Sequence, residues 1–196
     1  ELVEDGQTLL AGAVRVEGEG DDARYYNSVI AINARGETYD AIDKIRLVPF
    51  GEYLPFGDLL SRLGMQRLVQ SVSDFSPGGQ RRAIEFGGGI RVLPFICYEV
   101  IFPGIAGYGQ TQADLILNVT NDAWFWGSSE LDMHLACGVY RAVENGLPLL
   151  VAANGGLSAV VDATGAVRAV GPRHAAVIDR SGRRRGVVRA VVSGSR

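Results

Sequence analysis

The chain has 196 residues, 47% of them hydrophobic and 21% charged, with a net charge of -3. That composition describes one globular domain with a core of its own and excludes a disordered or fibrous chain. The charge gives no reason to expect nucleic acid as a partner, and no apolar run is long enough to cross a bilayer.

No signal peptide is visible, and the chain opens on Glu1-Leu2-Val3-Glu4 without an initiator Met, as a piece of a longer protein would. Leu9–Val16 reads as a buried strand, followed by an acidic turn from Glu17 to Asp22. Tyr25–Asn33 is again strand-like and ends in the tight turn Ala34-Arg35-Gly36-Glu37. Lys44 precedes Leu47-Val48-Pro49-Phe50-Gly51-Glu52-Tyr53-Leu54-Pro55-Phe56, where two prolines and a glycine dictate a shaped loop. Leu59–Val69 has helical spacing, broken by Ser76-Pro77-Gly78-Gly79. Arg82–Phe86 and Ile90–Ile96 read as strands across Gly87-Gly88-Gly89, the second ending on Cys97-Tyr98-Glu99. Asp114–Val119 is a short buried strand, and Leu131–Asn145 is the clearest helix. Leu149–Ala153, Leu157–Asp162 and Ala166–Val170 read as closing strands. Interleaved strands and helices with frequent hairpins predict a mixed sheet in a layered α/β (α+β-like) domain.

The chemistry-bearing residues are few. Of 19 basic residues, 18 are Arg; the single Lys is Lys44. A site that keeps Lys uses a compact ammonium on a flexible stem, which suits a small oxyanion; the alternative is a surviving surface lysine. Cys97 stands at the end of a buried strand, where a side chain can face a crevice. Position alone leaves it either a nucleophile or a small buried hydrophobe. Cys97 and Cys137 do not make a disulfide framework. Of the two histidines, His134 on the helix suits a hydrogen-bonded structural role, and His174 lies in a polar stretch. No His, Cys or Asp cluster has metal-ligand spacing, and no phosphate loop is present, so no metal or cofactor is expected. The Arg183-Arg184-Arg185 run reads as a solvated tail. A thiol, a carboxylate base and an ammonium together make a Glu-Lys-Cys arrangement for attack on a carbonyl.

Three blocks carry a specific resemblance: Lys44 to Pro55, with Leu-Val-Pro-Phe-Gly-Glu-Tyr-Leu-Pro; Ile96-Cys97-Tyr98-Glu99; and Asn118 to Phe125. His134, Arg141 to Glu144, Pro148-Leu149-Leu150 and Ala153 to Ser158 follow in order. Together they resemble the apolipoprotein N-acyltransferases of the nitrilase (carbon-nitrogen hydrolase) superfamily, from about Leu9 to about Val170. The resemblance implies a nitrilase-type α-β-β-α sandwich, incomplete at the N-terminus, spanning residues 1–172, with a divergent Arg-rich tail at 173–196. It also implies acyl transfer from a phospholipid to the amine of a lipidated apolipoprotein through a Cys97 thioester. Lys44 would stabilise the oxyanion, with Glu52 and Glu99 supporting the site. The domain would face the periplasm at the bacterial inner membrane, held there by segments not in this sequence. Phe50, Tyr53, Leu54, Phe56, Trp124, Phe125 and Trp126 would meet the bilayer interface or pack under their loops.

The family's general-base glutamate lies upstream of the Leu9–Val16 strand, and Glu1 and Glu4 are too near that strand to replace it. The chain alone is therefore expected to be inactive. Trp126 in place of glycine and the Ala136-Cys137-Gly138-Val139 stretch depart from the family pattern. The alternatives are a stand-alone amidase whose acyl-enzyme is resolved by water, and a non-catalytic remnant of the fold.

Overall fold

The computed structural model describes residue 3 and residues 5–55, 75–86, 88–107, 112–125 and 128–171, with a short pair of strands, Val177–Ile178 and Arg184–Arg185. Glu1, Glu4, Phe56, the expected helix from Leu59 to Val69, Trp126, His174 and Arg183 lie outside the described residues.

Two sheets form the body. Strands β1 (Leu9–Glu17), β2 (Arg24–Ile32) and β3 (Thr38–Asp43) make an antiparallel sheet in the order β1-β2-β3. Strands β4 (Ile84–Phe86), β5 (Ile90–Ile96), β6 (Leu115–Asn121), β7 (Leu149–Asn154), β8 (Ala159–Val161) and β9 (Val167–Val170) form a mixed sheet in chain order. Its centre, β5-β6-β7, is parallel. The β5 sequence IRVLPFI is apolar along most of its length because both faces are covered, as in parallel sheets generally.

The period of two along each strand sorts side chains between layers. Val92 and Ile96 on β5 and Leu115 and Leu117 on β6 face the small sheet. There they meet Leu10, Val29, Ala31 and Ile42. Leu93, Phe95, Ile116, Leu149 and Val151 face the opposite way, into a core with Ala142 of helix α1 (Glu130–Asn145). The layers are thus sheet, sheet and helix among the described residues. Gly138 lets α1 approach the sheet, since a Cβ there would fall 2.8 Å from Leu149 Cδ2. Gly146, at φ +62°, ends the helix in the left-handed conformation.

Pro94 sits inside β5, where proline is usually excluded. Strand β4 pairs only as far as Val92, so at Pro94 the strand has a ladder partner on one side, β6. The missing N–H is tolerated there, and the Pro94 carbonyl accepts from Arg81 Nη1 at 2.7 Å.

The end of β3 is anchored from several directions. Arg15 donates to both oxygens of Asp43, at 3.0 and 2.7 Å, and the Ser28 hydroxyl donates at 2.6 Å. Residues 75–78 cross over it: Ser76 N–H bonds to Tyr25 O and Gly78 N–H to Lys44 O, both at 2.8 Å. A Cβ at Gly78 would lie 2.6 Å from the Asp43 carbonyl, so the expected chain breaker is also a close backbone crossing. Burial alone would raise the Asp43 pKa, but the bonds from Arg15 and Ser28 outweigh it and hold it below the ordinary 3.8. Such a carboxylate stabilises the fold above its unfolded pKa and loses that contribution as pH falls through the lower folded value. Arg15→Met is expected to lower the thermal midpoint at neutral pH, with the gap to wild type closing below about pH 4. A gap that stays constant into acid in a pH series of melting curves would show that Arg15 stabilises by packing alone.

Candidate active site

The parallel strands β5, β6 and β7 end side by side, and ligands bind in the crevice outside such carboxyl ends. Cys97 leaves β5 into a 3-10 turn, Cys97–Ile101, with φ at +52°. A left-handed backbone at a residue with a side chain costs about 1–3 kcal/mol and persists only where its surroundings over-determine it. The half-buried Cys97 packs at the margin of the cluster formed by Val29, Ala31, Ile42, Ile84 and Ile96, between the two sheets. Cys137 is also free, on α1.

Lys44 follows β3 directly and is 1% exposed. Its ammonium donates to Glu52 Oε2 at 2.7 Å. Glu52 reaches back from the loop it belongs to, taking the Val48 N–H at 2.8 Å on the same oxygen and the Asn27 amide at 2.7 Å on the other. Proline and glycine shape that loop so that Phe50, at φ +62°, turns it. One of the three ammonium hydrogens is thereby used; Glu52 is the one acceptor for it among the described residues.

Glu99 is fully buried and links the two segments. Its Oε1 accepts from Ile45 N–H at 2.8 Å, Arg46 N–H at 3.0 Å and the Arg81 guanidinium. Its Oε2 accepts from Ile96 N–H at 2.9 Å and again from Arg81, at 3.0 Å. One carboxylate thus latches the residues after Lys44 to the residue before Cys97. The Arg46 guanidinium lies 5.5 Å from the Phe102 ring, and Phe102 meets Tyr98 edge-on, which reinforces the same junction. Glu99 has all its lone pairs committed and Glu52 spends three on Lys44, Val48 and Asn27, so both are parts of the scaffold around the site.

His134, on α1, bonds to Asp122 Oδ1 at 3.0 Å and to the Cys97 carbonyl at 3.2 Å. Asn27 and Arg81 are supporting residues that no sequence motif singles out, while Asp122 lies in the Asn118 to Phe125 block. Phe50 and Trp124 are 70% and 82% exposed on the loops around the strand ends, whereas Tyr53, Leu54 and Phe125 are partly buried. No helix among the described residues is long and apolar enough to cross a membrane.

The sequence matches the family described as carbon-nitrogen hydrolase over residues 1–183. It is 47% identical over 169 residues to the apolipoprotein N-acyltransferase of Brucella melitensis biotype 1, covering 85% of this chain and 32% of that protein. The apolipoprotein N-acyltransferase of Sinorhizobium medicae is 46% identical over 183 residues, covering 91% of this chain and 34% of its own. That of Rhizobium rhizogenes is 48% identical over 165 residues, covering 83% and 31%. The chain therefore spans about a third of the length of these relatives.

Among solved structures, a carbon-nitrogen hydrolase of Helicobacter pylori G27 superposes with a TM-score of 0.57 at 16% identity, covering 83% of this chain and 58% of its own. The amidase of Nesterenkonia sp. AN1 superposes at 0.55 with 24% identity, covering 83% and 57%. These likenesses show the fold, which is of the α/β nitrilase type. The chain belongs to the carbon-nitrogen hydrolase family.

Proposed function

We propose that this chain is the catalytic domain of an apolipoprotein N-acyltransferase, with Cys97 as nucleophile and Lys44 as oxyanion donor. The observation that carries this reading is the latch at Glu99, which ties the backbone after a buried ammonium to the backbone before a strained cysteine. The similarity to named acyltransferases, at 46–48% identity, supports the choice of reaction over hydrolysis.

In this scheme the Cys97 sulfur attacks a phospholipid ester carbonyl and the carbonyl oxygen becomes an oxyanion beside Lys44. A glutamate upstream of β1 takes the thiol proton, by the family pattern, and returns it to the departing lysophospholipid alkoxide. The acyl group is left as a thioester on Cys97. The amine of a diacylglyceryl-cysteine lipoprotein then attacks the thioester carbon, the same glutamate takes the proton the nitrogen sheds and passes it to the departing Cys97 sulfur, and an amide is left. Glu52 fixes the ammonium and Glu99 the backbone on which both groups ride. Phe50 and Trp124 rest at the bilayer interface, and the domain works on the periplasmic side of the inner membrane.

The test offers the full-length protein two substrate sets. With phospholipid and a diacylglyceryl-cysteine peptide, mass spectrometry is expected to find an acylated peptide. With small amides, no ammonia is expected. Ammonia release without peptide acylation would replace the transferase reading with an amidase.

A further inference from the structure

Both ring nitrogens of His134 face oxygen. Nε2 meets the Cys97 carbonyl at 3.2 Å and Nδ1 meets Asp122 Oδ1 at 3.0 Å. A carbonyl only accepts, so Nε2 must carry a hydrogen. On the other side Asp122 Oδ1, which also takes the Thr120 hydroxyl at 2.6 Å, closes against Nδ1. A neutral imidazole has one N–H. The Nε2–H goes to the Cys97 carbonyl, and the Asp122 contact on Nδ1 fixes the orientation of the ring.

The pair is boxed in. Asp122 is 3% exposed, and the His134 side chain 9%. A Cβ at Gly156 would lie 2.7 Å from Asp122 Cβ, and Gly155, at φ +70°, packs on Ala123. The loop after β7 thus pins the turn that follows β6, and the Asp122 carboxylate has little room to retreat from the ring.

What the ring holds is the peptide group that follows Cys97. One residue earlier, the N–H of Ile96, in the peptide group between Phe95 and Ile96, is held by Glu99. Two hydrogen bonds therefore grip the backbone on either side of a residue at φ +52°. If either grip is lost, the backbone can relax out of the left-handed region and carry the sulfur with it.

We propose that His134 and Asp122 are positioning residues: together they clamp the Cys97 carbonyl and so keep the strained turn that aims the thiol. This rests on Cys97 being the nucleophile of the proposed function, but not on the identity of its acyl donor.

The test measures alkylation of Cys97 by iodoacetamide in the full-length protein in detergent, with peptide mass spectrometry to score Cys97 apart from Cys137. His134→Gln keeps a donor toward the Cys97 carbonyl; His134→Leu keeps bulk without one. Since misplacing a reacting group by about 1 Å can cost roughly a hundredfold, His134→Leu is expected to slow alkylation about tenfold or more, with His134→Gln within about threefold of wild type. Equal rates in the two variants would overturn the proposal. Nitrogen NMR of the wild-type ring, assigned by its loss in His134→Gln, needs no folded Leu variant. A hydrogen on Nε2 is expected, and a bare Nε2 would overturn the clamp. Iodoacetamide needs neither lipid nor lipoprotein. A protein that shows the His134 dependence yet never accepts an acyl chain would sink the transferase reading and leave the positioning role standing.

Discussion

Lys44→Arg in the full-length protein is expected to lower kcat for acyl transfer by about a hundredfold or more, with KM little changed. Removing one oxyanion donor typically costs about 10²–10³ in kcat, because the interaction is made only as charge develops on the oxygen. Arg keeps the charge, so an electrostatic field alone would leave the rate intact. Its planar fork is a different object from an ammonium. Lys44 is 1% exposed and held 2.7 Å from Glu52, and the larger guanidinium must either displace that carboxylate or swing away from the carbonyl. Lys44→Met removes the donor while keeping bulk, and is expected to be at least as slow. Steady-state kinetics with both variants separates the possibilities, and wild-type turnover in Lys44→Arg would remove Lys44 from the chemistry.

Glu99→Ala is expected to have the largest effect on stability, about 3–5 kcal/mol, the range for breaking a buried ion pair from one side. The Arg81 side chain is 8% exposed and would keep only its bond to the Pro94 carbonyl. The amides of Ile45, Arg46 and Ile96 would lose their acceptor together. Glu99→Gln fills the same volume but turns one oxygen into an NH2 group facing N–H donors, so it is expected to recover little. Denaturant midpoints measure this directly. Near-wild-type stability in Glu99→Gln would mean that the carboxylate does not hold the two segments together.

Much of the fold is legible in the sequence because burial leaves a period. The apolar runs at Leu9–Val16, Ile90–Ile96 and Leu149–Ala153 fall on strands, and Leu131–Asn145 on helix α1, although the first, expected to be buried, has no fully buried residue and exposes Val14 and Val16 on the outer face of a sheet covered on one side. Strand β3 escapes this signal. Its sequence, TYDAID, alternates little and has one fully buried residue, Ile42; it is a strand because β2 pairs with it. Boundaries shift where a turn replaces the strand end: Leu157–Asp162 contracts to Ala159–Val161 because Ser158 instead bonds the β7 backbone at Ala153.

The candidate site is less legible. Lys44 stands out as the sole lysine, and Cys97 by its place at a strand end. Arg81 sits among other arginines and 18 residues before Glu99, with nothing local to mark it. Asn27 lies inside a strand whose other residues announce only pairing. Asp122 belongs to a recognisable block, yet its bond to His134 spans a helix and a strand end. Nor does any residue type report that Cys97 adopts a positive φ. These are three-dimensional facts: they arise where three strand ends and two loops meet, and no single segment encodes them.

The most direct measurement is peptide mass spectrometry of the full-length protein after incubation with phospholipid and no acceptor. The expected result is one acyl chain on the Cys97 peptide, released by hydroxylamine and absent from Cys97→Ala. An acyl chain that persists in Cys97→Ala, or none on the folded wild-type protein, would contradict the assignment of Cys97 as the acyl carrier.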